Sequence, residues 1–132
     1  MSPAALVALL ALAFPASAAL LRLDAASAIT TAAAAHRVPP RVLAAVCWLE
    51  SRTGTAPRYA SLCGVRVAHR YIADDARSAD IAARSLRRRR DECGSWLRAL
   101  AYYRTGRGCA SDDPTRYGPR ALSLARRMGW QP

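Results

Sequence analysis

An all-α fold is what the sequence predicts, and three observations lead there. Apolar residues recur at helical spacing, first at Val42, Leu43, Val46 and Leu49, then at Trp96, Leu97, Leu100 and Tyr103. Much of the 52% hydrophobic content is alanine, the best helix former. No segment alternates apolar and polar residues as a half-buried strand would, and no internal repeat is visible. A chain of 132 residues supports one core, so the expectation is a single compact domain of roughly five or six helices.

Each element has a local reason. Asp24 can cap an alanine-rich helix running to about Arg37. Pro39-Pro40 breaks the chain, and Pro40 can open the next helix because its missing N–H is not needed there. That helix carries Val42 to Glu50 and stops before Gly54 and Pro57. Residues 58–66 read as loop, followed by a short helix over residues 67–73. Asp74, Asp75 or Ser78 can cap a helix that runs into Arg87-Arg88-Arg89-Arg90, with a break over residues 91–94. Ser95 caps the helix containing Trp96 to Tyr103. Gly106, Gly108 and Pro114 mark a loop. Pro119 opens a last helix, with Trp130 in a frayed tail.

The first residues have the pattern of an export signal. The apolar run over residues 4–14 is shorter than the ~20 residues that cross a bilayer, and Ala16-Ser17-Ala18 offers a cleavage site before Ala19. No basic residue precedes that run, so an uncleaved anchor or a buried helix is the competing reading. The division is residues 1–18 as signal and 19–132 as the exported domain, with no stable membrane insertion after signal removal. Four cysteines, Cys47, Cys63, Cys93 and Cys109, fit an oxidising compartment and two disulfides. Their pairing stays open among three connectivities. No C-x-x-C occurs, and His36 and His69 lack ligand spacing, so no metal or other cofactor is expected.

The formal charge is +11, from 20 basic and 9 acidic residues, and every basic residue is arginine. Such a surface suits anionic polymers: nucleic acid, anionic lipid or an acidic wall. Nucleic acid conflicts with export, and the arginine run lacks the interleaved aromatics of single-strand binders. The run of Arg87 to Arg90 reads first as a solvated helical face.

Glu50 is the residue that stands out. It ends an apolar run, directly after Trp48 and Leu49, and burying a carboxylate is costly unless it is paired or neutral. An acid with a raised pKa can protonate a leaving oxygen near neutral pH. Glu92, the one other glutamate, follows four arginines and reads as a solvated partner for them. Asp74, Asp75, Asp112 and Asp113 are the candidates for a second carboxylate, but nothing in the sequence ties them to Glu50.

Four segments in order carry a resemblance: AHRVPPRVLAAVCWLES, SLCGVRV, RALAYYRTG and RYGPRALSLARRM. Residues 31–128 resemble the catalytic domain of bacterial lytic murein transglycosylases, which have a lysozyme-like fold. The resemblance implies Glu50 as the catalytic acid/base and substrate contacts at Ser51, Gly64, Arg66, Tyr103, Arg104 and Tyr117. It implies cleavage of the bond between N-acetylmuramic acid and N-acetylglucosamine, giving a 1,6-anhydro end without a second carboxylate. Peptidoglycan strands would be the partner, acted on by an exported monomer. Three departures stand out. Gly64-Val65-Arg66 lacks the family glutamine, Arg104 replaces an asparagine, and Ser78-Ala79-Asp80-Ile81-Ala82 replaces an Asn-Ile-x-x-Gly pattern. They leave two alternatives open: a goose-type-like lysozyme that uses water, or a domain that binds glycan without cutting it.

Overall fold

The structure, a computed structural model, describes residues 1–132. Six α-helices carry the chain: α1 Pro3–Ala13, α2 Leu23–His36, α3 Pro40–Ser51, α4 Asp75–Cys93, α5 Trp96–Thr105 and α6 Tyr117–Arg127. A 3-10 helix, Pro15–Leu20, follows α1, and β1 Arg66–Val67 pairs antiparallel with β2 Arg70–Tyr71. The all-α expectation holds, with two disulfides: Cys47 to Cys63 and Cys93 to Cys109.

Helix α3 is the central element. Its residues from Val42 to Cys47 are all buried, because α2, α4 and α6 pack around it. Helix α2 lies on α4, and α5 bridges α4 to α6. Alanines at these contacts let helices approach closely: Ala79, Ala82 and Ala83 on α4, and Ala121 and Ala125 on α6, are buried. Gly118 is the tightest such point, since a Cβ there would meet the Leu97 carbonyl oxygen at 2.9 Å. His36 at the end of α2 holds Asp80 on α4 through a 2.6 Å contact, and the bond from His36 draws the Asp80 carboxyl below its usual range.

Several expectations are corrected. Residues 67–73 form no helix. The hairpin occupies residues 66–71 instead, and its two turn residues Ala68 and His69 have φ of 50° and 66°. Two residues with positive φ suit the tight turn that right-twisted strands require, but neither is the glycine or asparagine that signals it. Helix α4 runs through Asp91 and Glu92 to Cys93 before Gly94 ends it. Helix α6 starts at Tyr117, two residues ahead of Pro119. Asp24 lies inside the first turn of α2, with Arg22 at the cap position. Trp130 is buried at 8% exposure, packed against the core, with its backbone N–H donating to the Ala125 carbonyl. By contrast, Pro40, Asp74 and Ser95 open or cap their helices as read from the sequence.

The segment with the export-signal pattern is packed. Leu6, Leu10 and Ala13 of α1 join the core, and Phe14 stacks on Trp48 with ring centroids 3.6 Å apart. Ala16, Ala18 and Ala19, around the expected cleavage point, are exposed. No helix is long and apolar enough to cross a membrane.

Candidate active site

Glu50 sits on the last turn of α3, where the helix leaves the core. Its carboxylate lines a cleft of about 290 Å³. Gly64 and Val65 form one wall, Ile81, Ala82 and Ser85 of α4 a second, and Tyr103 and Arg104 of α5 a third, with Arg66 at the rim.

Two covalent facts bring Gly64 to Glu50. Cys47 lies one helical turn before Glu50, and Cys63 directly precedes Gly64, so the Cys47–Cys63 bridge ties the loop to the helix end. A serine network then sets the loop's path. Ser61 Oγ bonds Ser78 Oγ at 2.7 Å, Cys63 N–H donates to Ser78 Oγ, and Val65 N–H donates to Ser61 Oγ. Gly64 has φ of 67°, and a Cβ there would lie 2.5 Å from Glu50 Oε2. Only glycine accepts both that backbone and that approach.

The electrostatics of Glu50 combine opposing effects. Burial raises its pKa from the ordinary 4.5, while a hydrogen bond from Tyr117 and the charge of Arg104 pull it down. Burial is the larger, so the net shift is upward. The Tyr117 hydroxyl donates to Glu50 Oε1 at 3.0 Å. Burial, and then the charge of Glu50, push the hydroxyls of both Tyr103 and Tyr117 above their usual range. Both therefore stay protonated as donors. Their rings lie 6.3 Å apart, and the Arg104 guanidinium lies 5.8 Å from the Tyr117 ring centre.

Of the residues picked from the sequence, Glu50, Gly64, Arg66, Tyr103 and Arg104 share the cleft. Tyr117 reaches it from behind: it is 3% exposed and touches the acid. Asp113 anchors that tyrosine's backbone, accepting from Tyr117 N–H at 3.0 Å. Ser51 does not line the cleft. It is 2% exposed, and its hydroxyl bonds the carbonyls of Cys47 and Leu62 and accepts from Gly54 N–H. Its place is that of a helix-end serine satisfying backbone groups. Tyr102 faces elsewhere, under the guanidinium of Arg89.

No aspartate lines the cleft. Asp74 caps α4, Asp75 pairs with Arg22, and Glu92 pairs with Arg89. No three His, Cys, Asp or Glu side chains converge to hold a metal ion. Sequence reasoning missed Val65, Ile81, Ala82 and Ser85. Ile81 and Ala82 fall in the Ser78-to-Ala82 stretch singled out as a degraded motif, and Ser85 follows one turn later on the same helix. That 3-and-4 spacing was the available signal.

No family model matches the chain, and neither do the curated proteins or the solved structures.

Proposed function

We propose that the protein is a glycan-cleaving enzyme of the lytic transglycosylase type, with Glu50 as its single acid/base and peptidoglycan strands as substrate. The observation that carries this reading is the partly buried Glu50, its pKa raised by burial and its Oε1 held by Tyr117, on the wall of an open cleft. The order of the four sequence segments around it adds support.

The chemistry asks little more of the chain. Protonated Glu50 gives its proton to the bridging oxygen as the bond from that oxygen to the sugar's C1 breaks. The substrate's N-acetyl oxygen supports the electron-poor C1. The Glu50 carboxylate then takes the proton of the 6-hydroxyl as that oxygen bonds to C1, which closes the anhydro ring and restores the acid. No water is consumed and no second carboxylate is needed, in keeping with a cleft lined by one acid. Tyr117 steadies the anionic form in mid-cycle, and Arg104 adds positive charge near it. Action outside the cytoplasm fits a chain with two disulfides.

The test is product analysis on purified sacculi. The expected products are muropeptides with 1,6-anhydro ends, one water lighter than hydrolysed ones. Glu50→Gln is expected to release none while keeping its far-UV circular dichroism. Reducing ends would assign a hydrolase instead. Binding to sacculi with no soluble product from the wild-type chain would assign a non-catalytic glycan binder.

A further inference from the structure

A second cleft, of about 620 Å³, lies between the end of α3 and one face of α6. It shares no lining residue with the cleft around Glu50. Its basic lining is Arg52, Arg116, Arg120 and Arg127, its aromatic wall is Trp48 stacked under Phe14, and no acidic residue lines it. None of the four arginines forms an ion pair. The Arg52 guanidinium lies 5.7 Å from the Trp48 ring centre, and Arg127 lies 5.2 Å from that of Phe14. Arg127 also donates to the Ala13 carbonyl at 2.8 Å.

Elsewhere Arg22, Arg84, Arg87 and Arg89 meet carboxylates, whereas no carboxylate lines this cleft. Four guanidinium groups without a carboxylate partner around one cleft repel one another, and a bound anion relieves that repulsion. Guanidinium forks fit the oxygens of a phosphate, which offers three acceptors and close to two negative charges, where a carboxylate is saturated by one fork. The volume lies within the range of small-molecule sites, and the aromatic wall suits a flat or apolar body.

We propose that this cleft binds a small phosphate ester carried on a ring-bearing or apolar body, with Arg52, Arg116 and Arg120 on the phosphate and the Phe14–Trp48 stack, through its more accessible Phe14, against the body. This site is independent of the Glu50 reading and stands if that reading fails.

Phenyl phosphate is the probe, titrated calorimetrically into the full chain, with benzoate as the matched carboxylate. Saturable binding of phenyl phosphate is expected, with benzoate at least about tenfold weaker. The double variant Arg52→Gln with Arg120→Gln is expected to lose at least about tenfold in affinity, since hydrogen bonds to charged groups are among the strong ones. Both side chains are exposed and lack ion-pair partners, so circular dichroism should match the wild type. Arg66→Gln with Arg104→Gln, at the other basic cleft, is expected to leave the affinity unchanged. The proposal is overturned by no saturation at millimolar phenyl phosphate, by benzoate binding equally well, by an Arg52 and Arg120 variant that binds like wild type, or by loss of binding in the Arg66 and Arg104 variant.

Discussion

At the scale of single residues, the site turns on how Glu50 holds its proton. Burial favours the neutral acid, and the Tyr117 hydroxyl favours the anion. Removing that hydroxyl removes a stabiliser of the charged form, so Tyr117→Phe should raise the Glu50 pKa further. The alkaline limb of the pH–rate profile is then expected to move to higher pH, and a limb that stays put or moves down would remove Tyr117 as a tuner of the acid. The same raised pKa has a stability consequence. The folded state binds the Glu50 proton more tightly than the unfolded state, so this group's contribution falls as pH rises from 4.5 through the folded pKa, and is absent as a penalty below that window. Glu50→Gln should therefore melt close to wild type in acid and above it at neutral pH, followed by circular dichroism. A gap that is equal at both pH values would contradict a raised pKa.

At the scale of elements, the Cys47–Cys63 bridge does two things. It closes a loop between residues 16 apart in sequence, and it presses Gly64 onto Glu50. A loop of that length corresponds to about 3 kcal/mol of stabilisation in the chain-entropy picture. Cys47→Ser with Cys63→Ser should lose about 2–4 kcal/mol in denaturant unfolding and should also lose activity at temperatures where it remains folded. Unchanged activity there would mean that the serine network alone holds the loop. Elements were unevenly legible from sequence. Pro40, Asp74 and Ser95 mark helix starts because each acts on its own neighbours. The hairpin was misread because Ala68 and His69 carry no local preference for positive φ, and the surrounding fold imposes it. Trp130 was misread for the same kind of reason: its burial depends on the core it meets, which adjacent residues do not reveal.

At the scale of the molecule, the N-terminal segment is part of the core. Leu6 and Leu10 are fully buried, and Phe14 covers Trp48. Each buried leucine is worth about 1.5–3 kcal/mol in transfer terms, so a chain beginning at Ala19 should melt several degrees below the full chain. Trp48 should also become open to acrylamide, read as stronger fluorescence quenching that a Trp48→Phe version of the shorter chain does not show. Equal melting temperatures and equal quenching would mean that α1 contributes little to the packed state. Charge is likewise settled at this scale. Within the Arg87-to-Arg90 run, Arg87 and Arg89 pair with carboxylates and Arg90 covers Trp96, whereas the arginines of the second cleft, from the end of α3 and from α6 and its cap, have no acidic residue beside them.

What the sequence determined by itself is whatever depends on spacing within one segment: the helical class, the starts of α3, α4 and α5, and the acid at the end of an apolar run. Periodicity and capping act over a few residues, so a linear reading captures them. Which cysteines pair, which serine faces backbone rather than cleft, that Tyr117 grips Glu50 across 67 residues, and where arginines lack partners were decided only by the tertiary structure. Each of those depends on the distance between groups far apart in the chain, and packing alone sets that distance.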